Sequence, residues 1–202
     1  MSKIKLFSGM DFSGKTTIIN GINGKIPNTF KIKRKFLTPI DLIENVRKRD
    51  TWLSPEEWKP LLQENIQKDI ENYKENELVL LDSLWIIKYL AGKIEKGDKE
   101  DDEEISILIE LLKKYPQMDS FYITVSMEER IKRFHERSKL GKEVTGSDKL
   151  IMDVNKFEKR EKIYKEIVLE NLPNTKIVDT TNINLKETIE LIINDENFIK
   201  DM

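Results

Sequence analysis

The 202-residue chain contains no cysteine and a single histidine. Disulfides and cysteine-based zinc sites are therefore excluded, as fits a reducing cytosol. His135 stands among Arg133, Glu136 and Arg137 with no second metal-type partner nearby, so it reads as an ordinary surface histidine. Neither sign of charge dominates: 35 Lys and Arg oppose 37 Asp and Glu, a net −2. The broad basic field that a nucleic-acid partner needs is missing. No apolar run approaches the roughly 20 residues that cross a bilayer, and the N-terminus lacks the features of a secretory signal. A soluble, cytoplasmic protein without a membrane partner is expected. The length suits one domain, residues 1–202, with a sizeable core.

What is present near the N-terminus is specific. Gly9-Met10-Asp11-Phe12-Ser13-Gly14-Lys15-Thr16 has the spacing G-x-x-x-x-G-K-T. It follows the polar–apolar alternation of residues 3–8 and precedes a helix-compatible run from Thr17 to Ile22. Such a loop turns successive backbone N–H groups, and the next helix's N-terminus, toward a polyphosphate. Gly9, Asp11, Phe12, Ser13, Gly14, Lys15, Thr16 and Thr17 are thus candidates for binding ATP. Lys15 would reach the β- and γ-phosphates and the Thr16 hydroxyl would ligate Mg²⁺.

The rest of the chain alternates strands with helices. Residues 30–36 read as a second strand, broken by Thr38-Pro39, and residues 40–49 as a short helix. Ser54 and Pro55 open a long helix with Trp58, Leu62, Ile66, Ile70 and Tyr73 on one face, and Pro60 predicts a kink in it. Residues 78–81 form an apolar run suited to a central parallel strand, ending at Asp82. A helix over 83–92 with Gly92 as its stop, an acidic connector over 97–104, and a helix over 105–115 follow. Then come a strand (121–125), a helix (127–138) and a mobile loop with two glycines (140–148). A long helix striped by Leu150, Val154, Phe157, Tyr164 and Val168, a strand (176–178) and a closing helix (185–193) complete the pattern. The expected fold is α/β, with a doubly wound parallel sheet whose ligands sit beyond the strands' carboxyl ends. The Gly loop, Asp82 and the Asp179-Thr180 pair fall at such ends, which adds Thr180 to the ATP-binding candidates.

Three further features carry chemistry. Opposite a Gly loop, Asp82 can hold Mg²⁺ directly or through water, or it can merely cap the following helix. Arg130, Arg133 and Arg137 recur at spacings of three and four, so they share a helix face, and Lys139 and Lys142 continue the charge. Arginines on a helix before a flexible loop are what a lid closing over a transferring phosphoryl group needs, which places the lid around 138–150. Asp11 lies inside the cradle, where like charge opposes phosphate. It either orients an acceptor, for instance through a sugar hydroxyl, or turns to water. Trp52, Trp58 and Trp85 read as core or edge aromatics, with Trp58 and Phe36 as candidates for a base slot.

The residues from Phe7 to Thr17 resemble the F-E-G-x-D-G-x-G-K-T-T opening of the thymidylate kinases, within the P-loop nucleoside monophosphate kinases. Asp119, Ile123, Val125 and Glu128 are similar to a later strand and turn of that family, Arg133 and Arg137 to its basic positions before the lid, and Phe157 and Tyr164 to aromatic positions beyond it. The resemblance implies a three-layer, five-stranded parallel sheet, Mg²⁺-ATP as donor, transfer of the γ-phosphoryl to dTMP to give dTDP and ADP, and a homodimer. Lys15, Arg133, Arg137 and Asp11 would be the catalytic set, with Thr16 and Asp82 on the metal.

The chain also departs from the family pattern. Asp82-Ser83-Leu84 stands where the family has D-R-Y or D-R-H, without the arginine that touches the acceptor phosphate. Phe12 occupies a cradle position where one branch carries arginine, and residues 61–67 hold Gln63, Asn65 and Gln67 but no arginine to read a thymine. Three readings therefore stand: a kinase of (deoxy)nucleoside monophosphates, a kinase of deoxynucleosides or other small molecules, and a nucleotide-binding regulatory protein without transfer.

Overall fold

The computed structural model describes residues 3–26, 30–32, 55–74, 78–97, 102–115, 117–141 and 148–199. Its strands are β1 (Lys3–Ser8), β2 (Phe30–Ile32), β3 (Leu78–Asp82), β4 (Asp119–Thr124) and β5 (Lys176–Asp179). Helices α1 (Lys15–Lys25), α2 (Pro55–Lys74), α3 (Trp85–Lys96), α4 (Asp102–Leu112), α5 (Met127–Lys139), α6 (Val154–Asn171), α7 (Leu185–Ile193) and α8 (Glu196–Ile199) alternate with them, and a short 3-10 turn spans Asp148–Met152.

The sheet order is β2-β3-β1-β4-β5, and every pairing is parallel. Parallel strands cannot be joined by tight turns, so each crossover carries helices and both faces of the sheet are covered. Alternation along β1 divides the core accordingly. Ile4 and Leu6 join Val79, Leu81 and the apolar faces of α2, α3, α4 and α6. Phe7 joins Leu80, Phe121 and the faces of α1 and α7, with Phe7 and Phe121 stacked at 5.5 Å. Every residue of β3 is buried, and each of its leucines contributes roughly 2 kcal/mol of apolar burial. Edge strand β5 instead leaves Ile177 half exposed.

One charged side chain is buried within β1. Lys5 is fully buried and donates to Asp119 Oδ2 at 2.6 Å, its direct partner in the β1–β4 register. A buried ammonium is tolerated only with such a counter-charge.

Several boundaries differ from the expectations. The helix expected to stop at Gly92 runs on to Lys96 and ends at Gly97, which adopts the left-handed conformation (φ 69°) that closes helices. The acidic connector is in part helical, because α4 begins at Asp102, where carboxylates favour a helix N-terminus. Helix α2 runs unbroken through Pro60. Leu150 belongs to the 3-10 turn and Val154 is 37% exposed, so the core stripe of α6 begins at Phe157. α8 has no counterpart among the expected elements. The expected helix over 40–49, the Ser54 cap, residues 33–36 of the second strand, Trp52, Lys142 and residues 142–147 of the expected lid lie outside the described residues.

Two helix starts follow directly from sequence. Ser126 accepts from the Glu129 amide at 3.3 Å to open α5. Asn184 and Glu187 form a reciprocal capping box on α7.

Candidate functional site

The Gly loop leaves the carboxyl end of β1, between β3 and β4, where the strand order reverses. A crevice opens at such a reversal. Three residues of the loop have positive φ: Gly9 (136°), Phe12 (63°) and Gly14 (95°). A side chain at Gly9 would run into the Ile123 carbonyl of β4, so the loop's first residue lies hard against the sheet. Gly14 then caps α1, which starts at Lys15.

Lys15 curls over the loop. Its Nζ donates to the Met10 carbonyl at 2.9 Å and lies 3.3 Å from Ser13 Oγ, and the residue is 6% exposed. The Thr16 hydroxyl donates to Asp82 Oδ2 at 2.5 Å. Asp82 is 5% exposed, its other oxygen lies 3.5 Å from Ser83 Oγ, and among the described residues it makes no ion pair. It does not cap α3, whose N-cap is Leu84 without a side-chain cap. A buried carboxylate answered by hydroxyls alone is a place for a cation. Thr16 and Asp82 thus fit Mg²⁺, which takes one or two protein oxygens and completes its shell with water and phosphate. Accordingly, no larger cluster of potential metal ligands occurs among the described residues.

The arginines of α5 meet the loop from the β4 side. Arg133 donates from Nη1 to the Phe12 carbonyl at 3.2 Å and from Nε to Glu129 at 3.0 Å. This pairing holds the Glu129 carboxyl below its usual range. Arg137 lies over the Phe12 ring at 5.8 Å, and Phe134 meets the same ring edge-on at 5.5 Å. Arg130, expected to share a phosphate-directed helix face with Arg133 and Arg137, is instead fully buried. It donates to the carbonyls of Asp11 (2.9 Å) and Val125 (3.1 Å), to Thr124 Oγ1 (3.3 Å) and to Glu161, and lies 5.2 Å over the Phe157 ring. Burial weakens its hold on its proton, and Glu161 opposes that.

Asp11 does not turn freely to water. Its Oδ1 accepts from Lys88 Nζ of α3 at 3.1 Å, with the two side chains 20% and 30% exposed. Neither Lys88 nor Glu161 was legible as a site residue. Lys88 carries no motif, and Glu161 is one of several charges on α6. Thr17 is exposed in the first turn of α1. Thr180 is buried, and its hydroxyl donates to the Thr124 carbonyl at 3.1 Å, tying β5 to β4 at the sheet's carboxyl edge. His135 is exposed, as expected. Gln67 donates to Glu71 at 2.9 Å. Phe36 and the side chains of Trp58 and Asn65 lie outside the described residues.

Next to Thr180, the Thr181 hydroxyl and amide both donate to Asp179 Oδ1, at 2.6 and 2.9 Å, and lower that carboxyl's pKa. A lowered folded-state value stabilises the fold above the unfolded value and loses that contribution as pH falls through it. Thr181→Val should therefore reduce stability at neutral pH by an amount that shrinks in strong acid, as urea melts across pH will measure.

No family model matches the chain, and no curated protein matches it by sequence. Solved structures do. Thymidylate kinase from Candida albicans superimposes with a TM-score of 0.69 at 22% identity, over 98% of this chain and 93% of that one. Deoxyadenosine kinase from M. mycoides with bound dATP gives 0.61 at 19% identity, over 95% of this chain and 97% of that one. Thymidylate kinase from Ehrlichia chaffeensis gives 0.57 at 17% identity over the same shares. This chain has the fold that these thymidylate and deoxyadenosine kinases share.

Proposed function

We propose that this protein is a single-domain kinase that transfers the γ-phosphoryl group of ATP to a (deoxy)nucleoside monophosphate. The observation that carries the reading is the hydrogen bond from solvent-exposed Thr16 to the buried carboxylate of Asp82, beside a Gly loop at the sheet's switch point. Loop amides from Gly9 to Thr16 would take the donor phosphates, Lys15 would leave its Met10 contact for them, and Thr16 and Asp82 would hold Mg²⁺. When bound, the ion supplies charge neutralisation on the phosphate oxygens as the leaving bond breaks. Arg133 and Arg137 would close on the transferring group as the 138–150 lid moves, and Asp11 would face the acceptor with Thr17 and Thr180 near the donor.

The acceptor's chemistry also bears on the choice. A monophosphate oxygen is already ionised and attacks phosphorus without losing a proton, whereas a hydroxyl acceptor must surrender one. The loop's own carboxylate, Asp11, is engaged by Lys88, and that pairing favours the acceptor needing no base. One observation favours the deoxynucleoside reading instead: Ser83 replaces the arginine of the resembling family, and its hydroxyl lies among the Phe7 carbonyl and Asp82.

A panel of nucleosides and nucleoside monophosphates with Mg²⁺-ATP separates these readings. We expect acceptor-dependent ADP release with a monophosphate, with one nucleoside diphosphate formed for each ADP released. Preference for an unphosphorylated nucleoside would move the assignment to the second reading. Release with no member of the panel would defeat transfer altogether and leave a nucleotide-binding protein.

A further inference from the structure

Two successive carbonyls of the Gly loop are gripped from one helix. Arg130 holds the Asp11 oxygen and Arg133 the Phe12 oxygen. No peptide in the described chain is cis. In a planar trans peptide the C=O and the following N–H point in opposite directions. Drawing these two oxygens toward α5 therefore aims the N–H groups of Phe12 and Ser13 away from it. Both amides are thereby directed to the side of the loop opposite α5, where a donor phosphate would meet them.

The arrangement has a conformational cost that something must hold in place. Phe12 is left-handed at φ 63°, a region that residues with a side chain avoid. Its ring is boxed by Phe134 and Arg137, so α5 contacts this residue by backbone and side chain alike. Arg130 is itself braced. Thr124 and Val125 hold it from the end of β4, while Glu161 and the Phe157 ring hold it from α6. Tyr122 adds a hydroxyl 3.4 Å from the same Glu161 oxygen.

We propose that Arg130 is a positioning residue that sets the phosphate-binding amides of Phe12 and Ser13, and that Glu161 fixes its aim. The inference deepens the proposed function and rests on donor phosphates occupying the loop. Lysine at position 130 keeps a charge for Glu161 but lacks the planar fork that reaches the Asp11, Val125 and Thr124 oxygens together. Glu161→Gln keeps the shape and loosens the ion pair at a side chain that is 21% exposed.

The test uses Mg²⁺-ADP and the full chain. Arg130→Lys should weaken ADP binding about tenfold, the scale of one lost hydrogen bond, and Glu161→Gln by a smaller factor in the same direction. The ³¹P resonance of the bound β-phosphate should shift in both variants. In the wild-type protein, the Phe12 and Ser13 amide resonances should move downfield on ADP addition. A purely structural role would reduce the folded fraction while leaving the dissociation constant and ³¹P shift of the folded molecules unchanged, and that result overturns the proposal. Should Arg130→Lys fail to fold, Glu161→Gln and the wild-type amide shifts decide it. Wild-type protein that binds ADP without moving those amides sinks this inference alone, whereas wild-type protein that binds no ADP sinks the kinase reading as well.

Discussion

Lys15→Ala should reduce acceptor-dependent ADP release by about a thousandfold, the effect of deleting a positioned donor from a site where negative charge develops. Lys15 is the charge that the structure stores inside the loop. Its ammonium rests on the Met10 carbonyl and beside Ser13 Oγ, neutral groups that it can exchange for phosphate oxygens. Its removal takes away electrostatic attraction in a partly desolvated site, where alanine and water cannot replace it. The fold should survive. Losing those contacts costs on the order of 1 kcal/mol, which lowers the melting temperature of a chain this long by about 2–4 °C. Kinetics against the acceptor panel, paired with thermal melts, measure both halves. Retained turnover in a folded Lys15→Ala protein would remove the loop from the chemistry.

Asp82→Asn should produce opposite effects on activity and stability. Turnover should fall about a hundredfold, and the Mg²⁺ concentration for half-maximal rate should rise at least tenfold, because a neutral amide is a poor magnesium ligand. The metal-free protein should melt higher by a few degrees. Wild-type Asp82 buries a carboxylate against hydroxyls with no cation among the described residues, and the amide relieves that desolvation while still accepting from Thr16. A site that loses function while gaining stability is one whose composition serves binding. Equal magnesium dependence in variant and wild type would take Asp82 out of the metal site.

How much of this could be read from the chain depends on the distance over which each feature is decided. The loop was legible because its determinants lie within eight consecutive residues, Gly9 to Thr16, and glycine is demanded at fixed places. β3 was legible because four apolar residues in a row, ended by a carboxylate, suit a strand covered on both faces. Asp82 could be paired with Thr16 because parallel strands present their carboxyl ends to one crevice. Arg130 shows where such reasoning stops. Spacing placed it on a basic edge with Arg133 and Arg137, yet Glu161, 31 residues further on, and Phe157 cover it completely. No local pattern announces a partner on another helix. Lys88 was missed for the same reason, since its meeting with Asp11 spans 77 residues. The misplaced end of α3 has a local cause. Gly92 can stay helical at modest cost when neighbouring turns are packed, and Gly97 supplies the left-handed stop five residues later.

The Lys5–Asp119 pair joins a buried ammonium in the middle of β1 to a partly exposed carboxylate at the first residue of β4, and it acts there as an alignment key. Sliding one strand past the other by a single step would strand an ammonium in hydrocarbon, a fault costing several kcal/mol. Out-of-register sheets are thereby selected against as the chain folds. The same two strands carry the Gly loop and the approach to Arg130 at their carboxyl ends, so a bond remote from any ligand decides which carbonyls that guanidinium meets.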